Sequence, residues 1–184
     1  MRTKNRSSER TAVGELPFLE GFPPILGDSP RVLILGSMPS ERSLREGQYY
    51  GHPRNRFWPL MVFLLAGSEE TIPYEERTGL LKRKGIALWD SIGRCRREGS
   101  LDSNIEEAVP NPIDGLIDSV GTIRFILFNG AAAEKMFRRT FSVKGDEWRG
   151  IRLLALPSTS PANAAWSVSR LREAWGRALM ASGI

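Results

Sequence analysis

The stretch Arg31-Val-Leu-Ile-Leu-Gly-Ser-Met-Pro-Ser40 decides the fold of this 184-residue chain. Residues 32–35 form an unbroken apolar run closed by Gly36, Ser37 and Pro39, a pattern typical of a strand that is buried on both faces and ends in a tight turn. Ligands of an open α/β sheet bind in the crevice beside the carboxyl ends of such strands. We therefore expect the residues after the apolar run to line a binding site.

The rest of the chain alternates between short apolar runs and helical patterns. Apolar runs predict strands at residues 86–89, 123–128 and 151–156, and capped or amphipathic patterns predict helices at residues 55–67, 74–84, 131–139 and 168–179, with a short helix near residue 116 and a basic turn at residues 94–97. Strands separated by helices favour parallel pairing with helices on both faces of the sheet. We predict an α/β fold, a single-domain three-layer sandwich around a central, mainly parallel four-stranded sheet.

Length and charge limit the organisation of the chain and its partners. At 184 residues the chain fits one domain. Polar residues 1–15, rich in Arg and Lys, predict a flexible basic N-terminal arm, which leaves residues 16–184 as the domain. The 26 Lys and Arg residues outnumber 21 Asp and Glu residues and give a net charge of +5, which suits a polyanionic partner.

Composition also argues against several classes of protein. A single cysteine, Cys95, excludes an internal disulfide, and a single histidine, His52, leaves few ligands for a zinc or iron–sulfur site. We therefore expect a mechanism without metal or cofactor. The chain has no secretory signal pattern and no apolar run of about 18 residues, so we expect a cytoplasmic protein without a membrane partner.

Polar motifs follow three of the predicted strands. They are residues 36–40, Asn129 and residues 158–163. Because parallel strands finish at the same edge of a sheet, we expect these three motifs to converge in one crevice. Between the first and second strands, residues 49–58 crowd aromatic, basic and amide groups into ten positions. Stacking surfaces beside cations suit a nucleobase and its phosphates.

Three segments, in this order, resemble motifs of the uracil-DNA glycosylase superfamily. They are Gly-Ser-Met-Pro-Ser (36–40), Tyr-Tyr-Gly-His-Pro-Arg-Asn-Arg-Phe-Trp (49–58) and Leu-Pro-Ser-Thr-Ser-Pro-Ala-Asn (156–163). The pattern is most similar to that of the hypoxanthine-DNA glycosylase branch, with the mismatch-specific uracil glycosylases as cousins, and it extends from about residue 30 to the C-terminus. The resemblance implies a metal-independent, monofunctional glycosylase of base-excision repair. Its expected partners are damaged DNA and, functionally, downstream abasic-site repair enzymes, and we expect it to act as a monomer.

The resemblance also implies which residues bind the flipped base. It assigns Tyr50 as a stacking platform, with Tyr49 as the alternative, and Asn129 as the residue that reads the base edge. Gly51 leaves room for a purine, and Met38 lines the base site. Structural alternatives stay open: either tyrosine can pack beneath the loop, and Asn129 can cap the helix that follows it, alone or together with reading the base.

The water-directing group departs from the usual pattern. Uracil glycosylases keep Asp or Asn where this chain has Met38, whose thioether cannot hold a water firmly. In the hypoxanthine branch the asparagine of the His-Pro-x-Asn segment is the substitute, which is Asn55 here, with Ser37 and Ser40 as further candidates. The structural alternative for Asn55 is an N-cap of the helix that begins near Phe57.

The third motif is expected to contact DNA. In the superfamily this loop pinches the DNA backbone, which assigns Ser158, Thr159 and Ser160 to phosphate contacts. Asn163, Arg54 and Arg56 complete the predicted DNA-binding set. Leu156 replaces the superfamily's frequent histidine and favours weak uracil activity.

Two functions of other classes compete with a glycosylase. Met38 and Leu156 would also fit a non-catalytic DNA- or nucleotide-binding module on the same fold. A nucleotide hydrolase would require clustered carboxylates for a metal, and the crevice motifs contain almost none.

Overall fold

The computed structural model describes residues 16–184, so the expected arm at residues 1–15 lies outside the described part. In chain order the elements are β1 (Phe18–Glu20), β2 (Val32–Gly36), α1 (Glu41–Glu46), α2 (Phe57–Ala66), α3 (Tyr74–Arg83), β3 (Ile86–Asp90), β4 (Ile92–Arg97), a 3₁₀ turn (Asp102–Asn104), β5 (Ile105–Pro110), α4 (Ile113–Val120), β6 (Phe125–Asn129), α5 (Ala131–Thr140), β7 (Glu147–Trp148), β8 (Ile151–Leu156) and α6 (Val168–Ala181). None of these helices is long and apolar enough to cross a membrane.

The central sheet has the strand order β3-β2-β6-β8-β7. β2 pairs in parallel with β3 and β6, and β6 pairs in parallel with β8. The two residues of β7 pair with β8 in the antiparallel direction. The α/β fold is therefore confirmed, but the expected four-stranded sheet is wrong, because the sheet is mixed and has five strands. A strand of two residues is too short to give an apolar or alternating pattern.

Both faces of the central sheet are covered. All four apolar residues of β2 have 0% exposure, although successive side chains of a strand point to opposite faces. Phe128 of β6 packs on Phe137 of α5 at a centroid distance of 5.2 Å. Phe57 of α2 meets Trp175 of α6 at 6.3 Å. Helix contacts of this kind bury both sides of the strands and leave their carboxyl ends as the open edge.

A second, antiparallel sheet joins β1, β4 and β5. The predicted basic turn at residues 94–97 is wrong, because these residues belong to β4. Two register irregularities interrupt its pairing with β5, and two of its three arginines lie over the ring of Phe18. An arginine in a sequence normally indicates an exposed position, but a guanidinium group that stacks on an aromatic ring is partly buried. The arginines of β4 therefore obscure its strand pattern.

Two short helices frame the residues between β2 and β3. α1 was not predicted because its six residues give less than two turns of pattern. The side chain of Ser40 caps it by accepting from the backbone N–H of Ser43. α2 begins at Phe57 and ends before Gly67, which adopts a left-handed conformation with φ of +66°, as the sequence predicted. The segment between the two helices is thereby held over the end of β2.

Candidate active site

A small cavity of about 90 Å³ lies at the carboxyl ends of β2, β3 and β6. The predicted site residues that line it are Ser37, Met38, Ser40, Tyr49, Tyr50, Asn55, Asn129, Ser158, Thr159 and Ser160. The topological expectation is therefore met, since all three polar motifs converge there. A flipped base would require the walls to move apart.

Thr159 connects the second and third motifs through side-chain hydrogen bonds. It is fully buried, and its backbone N–H donates to Asn129 Oδ1 at 2.9 Å. Asn129 Nδ2 donates to Thr159 Oγ1 at 3.0 Å, and Thr159 Oγ1 donates to Asn55 Oδ1 at 3.0 Å. Asn129, Thr159 and Asn55 thus form one relay, which we call the Asn129–Thr159–Asn55 relay.

The orientation of the Asn55 amide follows from its donors. The backbone N–H of Phe57 also donates to Asn55 Oδ1, at 3.0 Å, so the atom facing both donors must be the oxygen. Asn55 therefore accepts from the first N–H of α2, although it lies one residue before the N-cap position, which is Arg56. Among residues 16–184 no hydrogen bond uses Asn55 Nδ2, which leaves the amide nitrogen available as a donor at the cavity.

Asn129 is less available than the sequence suggested. Its oxygen and one of its N–H groups are both engaged by Thr159, and its exposure is only 8%. It does not cap α5, because Gly130 is the cap residue and no side chain bonds to the first turn. The helix-cap alternative for Asn129 is therefore wrong. In this arrangement the amide has one remaining N–H for a ligand.

The two adjacent tyrosines play different parts. Tyr49 is 3% exposed, and its hydroxyl donates to the carbonyls of Phe22 and Pro23 at 3.3 and 3.2 Å, so it packs beneath the loop. Tyr50 has a left-handed backbone with φ of +53°, rare for a residue with a Cβ. One face of its ring stacks on Phe57, with centroids 4.0 Å apart. Only the opposite face of Tyr50 is left for stacking with a base.

Two carboxylates that the sequence reading missed line the same cavity. Asp90 ends β3 at 3% exposure, and Asp102 accepts a hydrogen bond of 2.6 Å from Ser37 Oγ. Burial and then the charge of Asp102 raise the pKa of Asp90 from 3.8 to about 8, against the opposing effect of Arg97. The crevice motifs themselves lack carboxylates, and these two reach the cavity from outside those motifs. A signal existed, since Asp90 ends a buried strand just as Asn129 does.

The remaining predicted residues lie outside this cavity. Arg56 donates to the carbonyls of Ser160 at 3.0 Å, Asn163 at 2.9 Å and Trp166. Asn163 Nδ2 donates to the carbonyl of Ser158 at 2.9 Å. Both side chains therefore hold the third motif in shape, and their contact with phosphate stays a prediction. Arg54 is exposed and uses only its backbone N–H locally, donating to Nδ1 of His52 at 3.1 Å.

Gly51 lines a neighbouring cavity of about 350 Å³ instead. Tyr50 and Asn55 line both cavities and separate them. A Cβ on Gly51 would lie 3.2 Å from the carbonyl oxygen of Gln48, so the position is tight. Room for a purine therefore depends on how Tyr50 and Asn55 move, as well as on Gly51. Within residues 16–184 no cluster of three or more His, Cys, Asp or Glu side chains has the arrangement of a metal site.

Comparison with known proteins agrees with this geometry. The sequence profile of the uracil DNA glycosylase superfamily matches residues 23–179. A hypoxanthine DNA glycosylase from Methanosarcina acetivorans is 38% identical over 156 residues, covering 83% of this chain and 93% of the relative. Another, from Methanosarcina barkeri, is 40% identical over 111 residues, covering 60% of this chain and 70% of the relative.

A solved structure shares the fold as well. It is a solution NMR structure from Methanosarcina acetivorans, provisionally described as a uracil DNA glycosylase. It aligns with a TM-score of 0.73 and 35% sequence identity, covering 91% of this chain and all of that chain. The similarity therefore extends over the strands and helices that form the cavity.

Proposed function

Because the chain belongs to the uracil DNA glycosylase superfamily, we propose that it is a monofunctional DNA glycosylase that removes deaminated bases, hypoxanthine first and uracil in mismatches second. The observation that carries the proposal is the convergence of Tyr50, Asn55 and Asn129 on one cavity at the carboxyl ends of the strands. The hypoxanthine specificity rests on the relatives that carry that name. The protein would act on DNA as a cytoplasmic monomer without a metal.

The substrate base must leave the helix before the reaction. Flipping costs about a few kcal/mol and is cheapest for a badly paired base, which favours deaminated bases over normal ones. The cavity of about 90 Å³ is too small for a base as it stands. We infer that Tyr50 and Asn55 part on binding and join the two cavities, after which the free face of the Tyr50 ring stacks on the base.

The reaction itself requires an oriented water. The water oxygen forms a bond to the anomeric carbon while the bond from that carbon to the base nitrogen breaks, and the base leaves with the electron pair. Asn55 Nδ2, which is free to donate, holds the water oxygen in place. The proton that the water loses passes to Asp102, the exposed carboxylate of the same cavity.

A gel assay tests the proposed function. Oligonucleotides with one deoxyinosine or one uracil are incubated with the protein in the presence of a chelator and then treated with alkali. Strand cleavage that depends on alkali, stronger for deoxyinosine than for uracil, is the expected result. Binding without cleavage would instead support a non-catalytic DNA-binding module, which the apolar Met38 in the cavity favours.

A further inference from the structure

Side-chain oxygens of Asp90 and Tyr50 both lie close to the backbone of Gly36, at the end of β2. Gly36 has no side chain, and a Cβ built on it would lie 2.2 Å from Asp90 Oδ1 and 2.9 Å from the Tyr50 hydroxyl. Any larger residue would collide with both. The bare Cα of Gly36 therefore lets Asp90 and Tyr50 place their oxygens together at the floor of the cavity.

These polar groups are not satisfied by the protein. Asp90 Oδ2 is buried and has no hydrogen-bond partner among residues 16–184. The buried Tyr50 hydroxyl makes no well-formed hydrogen bond there either, although the Asn129 side chain lies close enough to lower the pKa of that phenol. Buried polar groups are almost always paired, and an unpaired one destabilises the fold. The unpaired oxygen of Asp90 points to a ligand that pairs with it when it binds.

We propose that the carboxyl group of Asp90 reads the polar edge of the flipped base. This inference rests on the proposed function and assigns its specificity. Hypoxanthine presents an N1–H donor beside the O6 acceptor. A neutral carboxyl offers an O–H donor beside a carbonyl acceptor, so the two edges form a reciprocal pair. Uracil presents N3–H beside O4 in the same way.

Asn129 cannot supply both halves of this pairing. Its oxygen already accepts from Thr159, so it has no acceptor to offer without breaking the Asn129–Thr159–Asn55 relay. The acceptor for N1–H must come from another residue. Asp90 is the lining carboxyl group, among residues 16–184, that is both buried and unpaired at an oxygen.

The charges around Asp90 favour its neutral form at physiological pH. Burial and the carboxylate of Asp102 raise the pKa of Asp90 to about 8, and the guanidinium of Arg97 lowers it. Tyr49 and Tyr50 also face Asp90, and burial raises the pKa of both phenols, so they stay neutral. An ionised Asp90 would set a negative charge against O6 of the base and weaken the pairing.

Excision measured as a function of pH tests the protonation state. Single-turnover excision of deoxyinosine is followed from about pH 6 to about pH 10 for the wild type, Asp90→Asn and Asp90→Ala. We expect the wild-type rate to fall by up to about tenfold per pH unit above about pH 8. Asp90→Asn, which keeps one donor and one acceptor, retains the rate within about tenfold at neutral pH and lacks this fall. Asp90→Ala loses on the order of a hundredfold.

The outcomes separate this inference from its alternatives. Ionisation of hypoxanthine itself affects all variants alike, so the difference between wild type and Asp90→Asn reports on Asp90. The inference is overturned if the excision rate of Asp90→Asn falls at alkaline pH as the wild-type rate does. It is also overturned if Asp90→Asn loses as much of the rate at neutral pH as Asp90→Ala. Wild-type activity in Asp90→Ala also overturns it. Thermal melting of each variant identifies one that fails to fold.

Binding without cleavage provides the second measurement. A duplex with 2′-fluoro-deoxyinosine resists excision, and its affinity is compared with that of a duplex with 2′-fluoro-deoxyadenosine. We expect the wild type to prefer the first, and Asp90→Ala to lose about tenfold or more of the preference. An unchanged preference in Asp90→Ala overturns the base-reading role. Failure of the wild type to cleave ordinary deoxyinosine would instead contradict the proposed function.

Discussion

Asn55 has atoms for the structural and the proposed chemical task in one side chain. Its oxygen accepts from the first turn of α2 and from Thr159, while its nitrogen is free for a water. The sequence predicted both tasks as alternatives, and the hydrogen bonds show that one amide has atoms for both. What the sequence could not show is which atom serves which task, since that depends on the partners that surround the amide in the fold.

Substitution of Asn55 separates these tasks. Asn55→Ala should cost about 1 kcal/mol of unfolding free energy through the lost cap, and on the order of a hundredfold in single-turnover rate. Asn55→Ser should cap α2 without reaching the water, and Asn55→Asp should stay folded with measurable activity. The matched control is Ser167→Ala, which removes the cap of α6 outside the cavity and should lower stability alone. A folded Asn55→Ser that cleaves at the wild-type rate would reduce Asn55 to a cap.

Asp90 should make stability depend on pH. Its pKa is raised in the folded protein to about 8, above the ordinary 3.8, so the folded state binds a proton that the unfolded state releases between these values. Stability from this group is therefore present below about pH 4 and is lost as pH rises to about 8, by at most about 1.4 kcal/mol per pH unit. Asp90→Asn should stabilise the protein increasingly over this window, as urea unfolding at several pH values would measure. A constant difference would contradict the raised pKa.

Asp90 also illustrates why part of the site escaped prediction from sequence. An aspartate followed by a serine after an apolar run is typical of a turn, so the pattern alone does not mark Asp90 as a site residue. Its function follows from burial, from the glycine beside it and from the second carboxylate, Asp102, which is distant in sequence. These are properties of the folded chain, and the one local signal is the place of Asp90 at the end of a buried strand.

At the scale of elements, periodic segments were predictable and short ones were not. The parallel strands and helices α2, α3, α5 and α6 fall where apolar runs and helical spacing placed them. The missed helices and strands, α1, β1, β4, β5 and β7, are either only a few residues long or interrupted by bulges and arginines. Their existence depends on pairing with distant segments, such as β1 with β4, and not on their own sequence.

Arg56 links α2 to the third motif and should be sensitive to the shape of its cation. Its planar guanidinium donates to several carbonyls at once, which a lysine cannot reproduce. Arg56→Lys should lower the unfolding free energy by about 2 kcal/mol and weaken DNA binding. The control is Arg54→Lys, because Arg54 is exposed and its side chain makes no hydrogen bond among residues 16–184; this change should alter stability by less than about 0.5 kcal/mol. Equal melting temperatures for wild type and Arg56→Lys would contradict this contribution of Arg56 to stability.

For the whole molecule, the sequence was most informative about topology. Parallel strands end at one edge of a sheet, and this rule was sufficient to predict that residues 36–40, Asn129 and residues 158–160 lie close together. Composition was less informative, because a net charge of +5 does not say where the cations lie. Arg56, for example, is occupied by carbonyl groups of the protein.

DNA binding should nonetheless depend on salt. Each phosphate that the protein neutralises should contribute about −0.9 to the slope of log affinity against log salt concentration. Fluorescence anisotropy with a labelled duplex at several salt concentrations measures this slope. Arg54→Ala should make it shallower by about one unit if that exposed side chain contacts a phosphate. A flat dependence for the wild type would remove DNA as the partner.

The Asn129–Thr159–Asn55 relay has a consequence for the order of events on DNA. A repair enzyme spends nearly all its time on intact DNA, where a fully positioned catalytic water could remove normal bases. Because Thr159 sits in the loop expected to grip the DNA, lifting that loop would remove one of the two donors that set the Asn55 amide. We infer that Thr159 couples the two events, so that Asn55 positions the water only when the loop is in contact with the DNA strand. Thr159→Val should then slow cleavage of bound deoxyinosine without weakening binding to undamaged DNA. If cleavage and DNA binding both weaken, the Thr159 hydroxyl only holds the loop in shape.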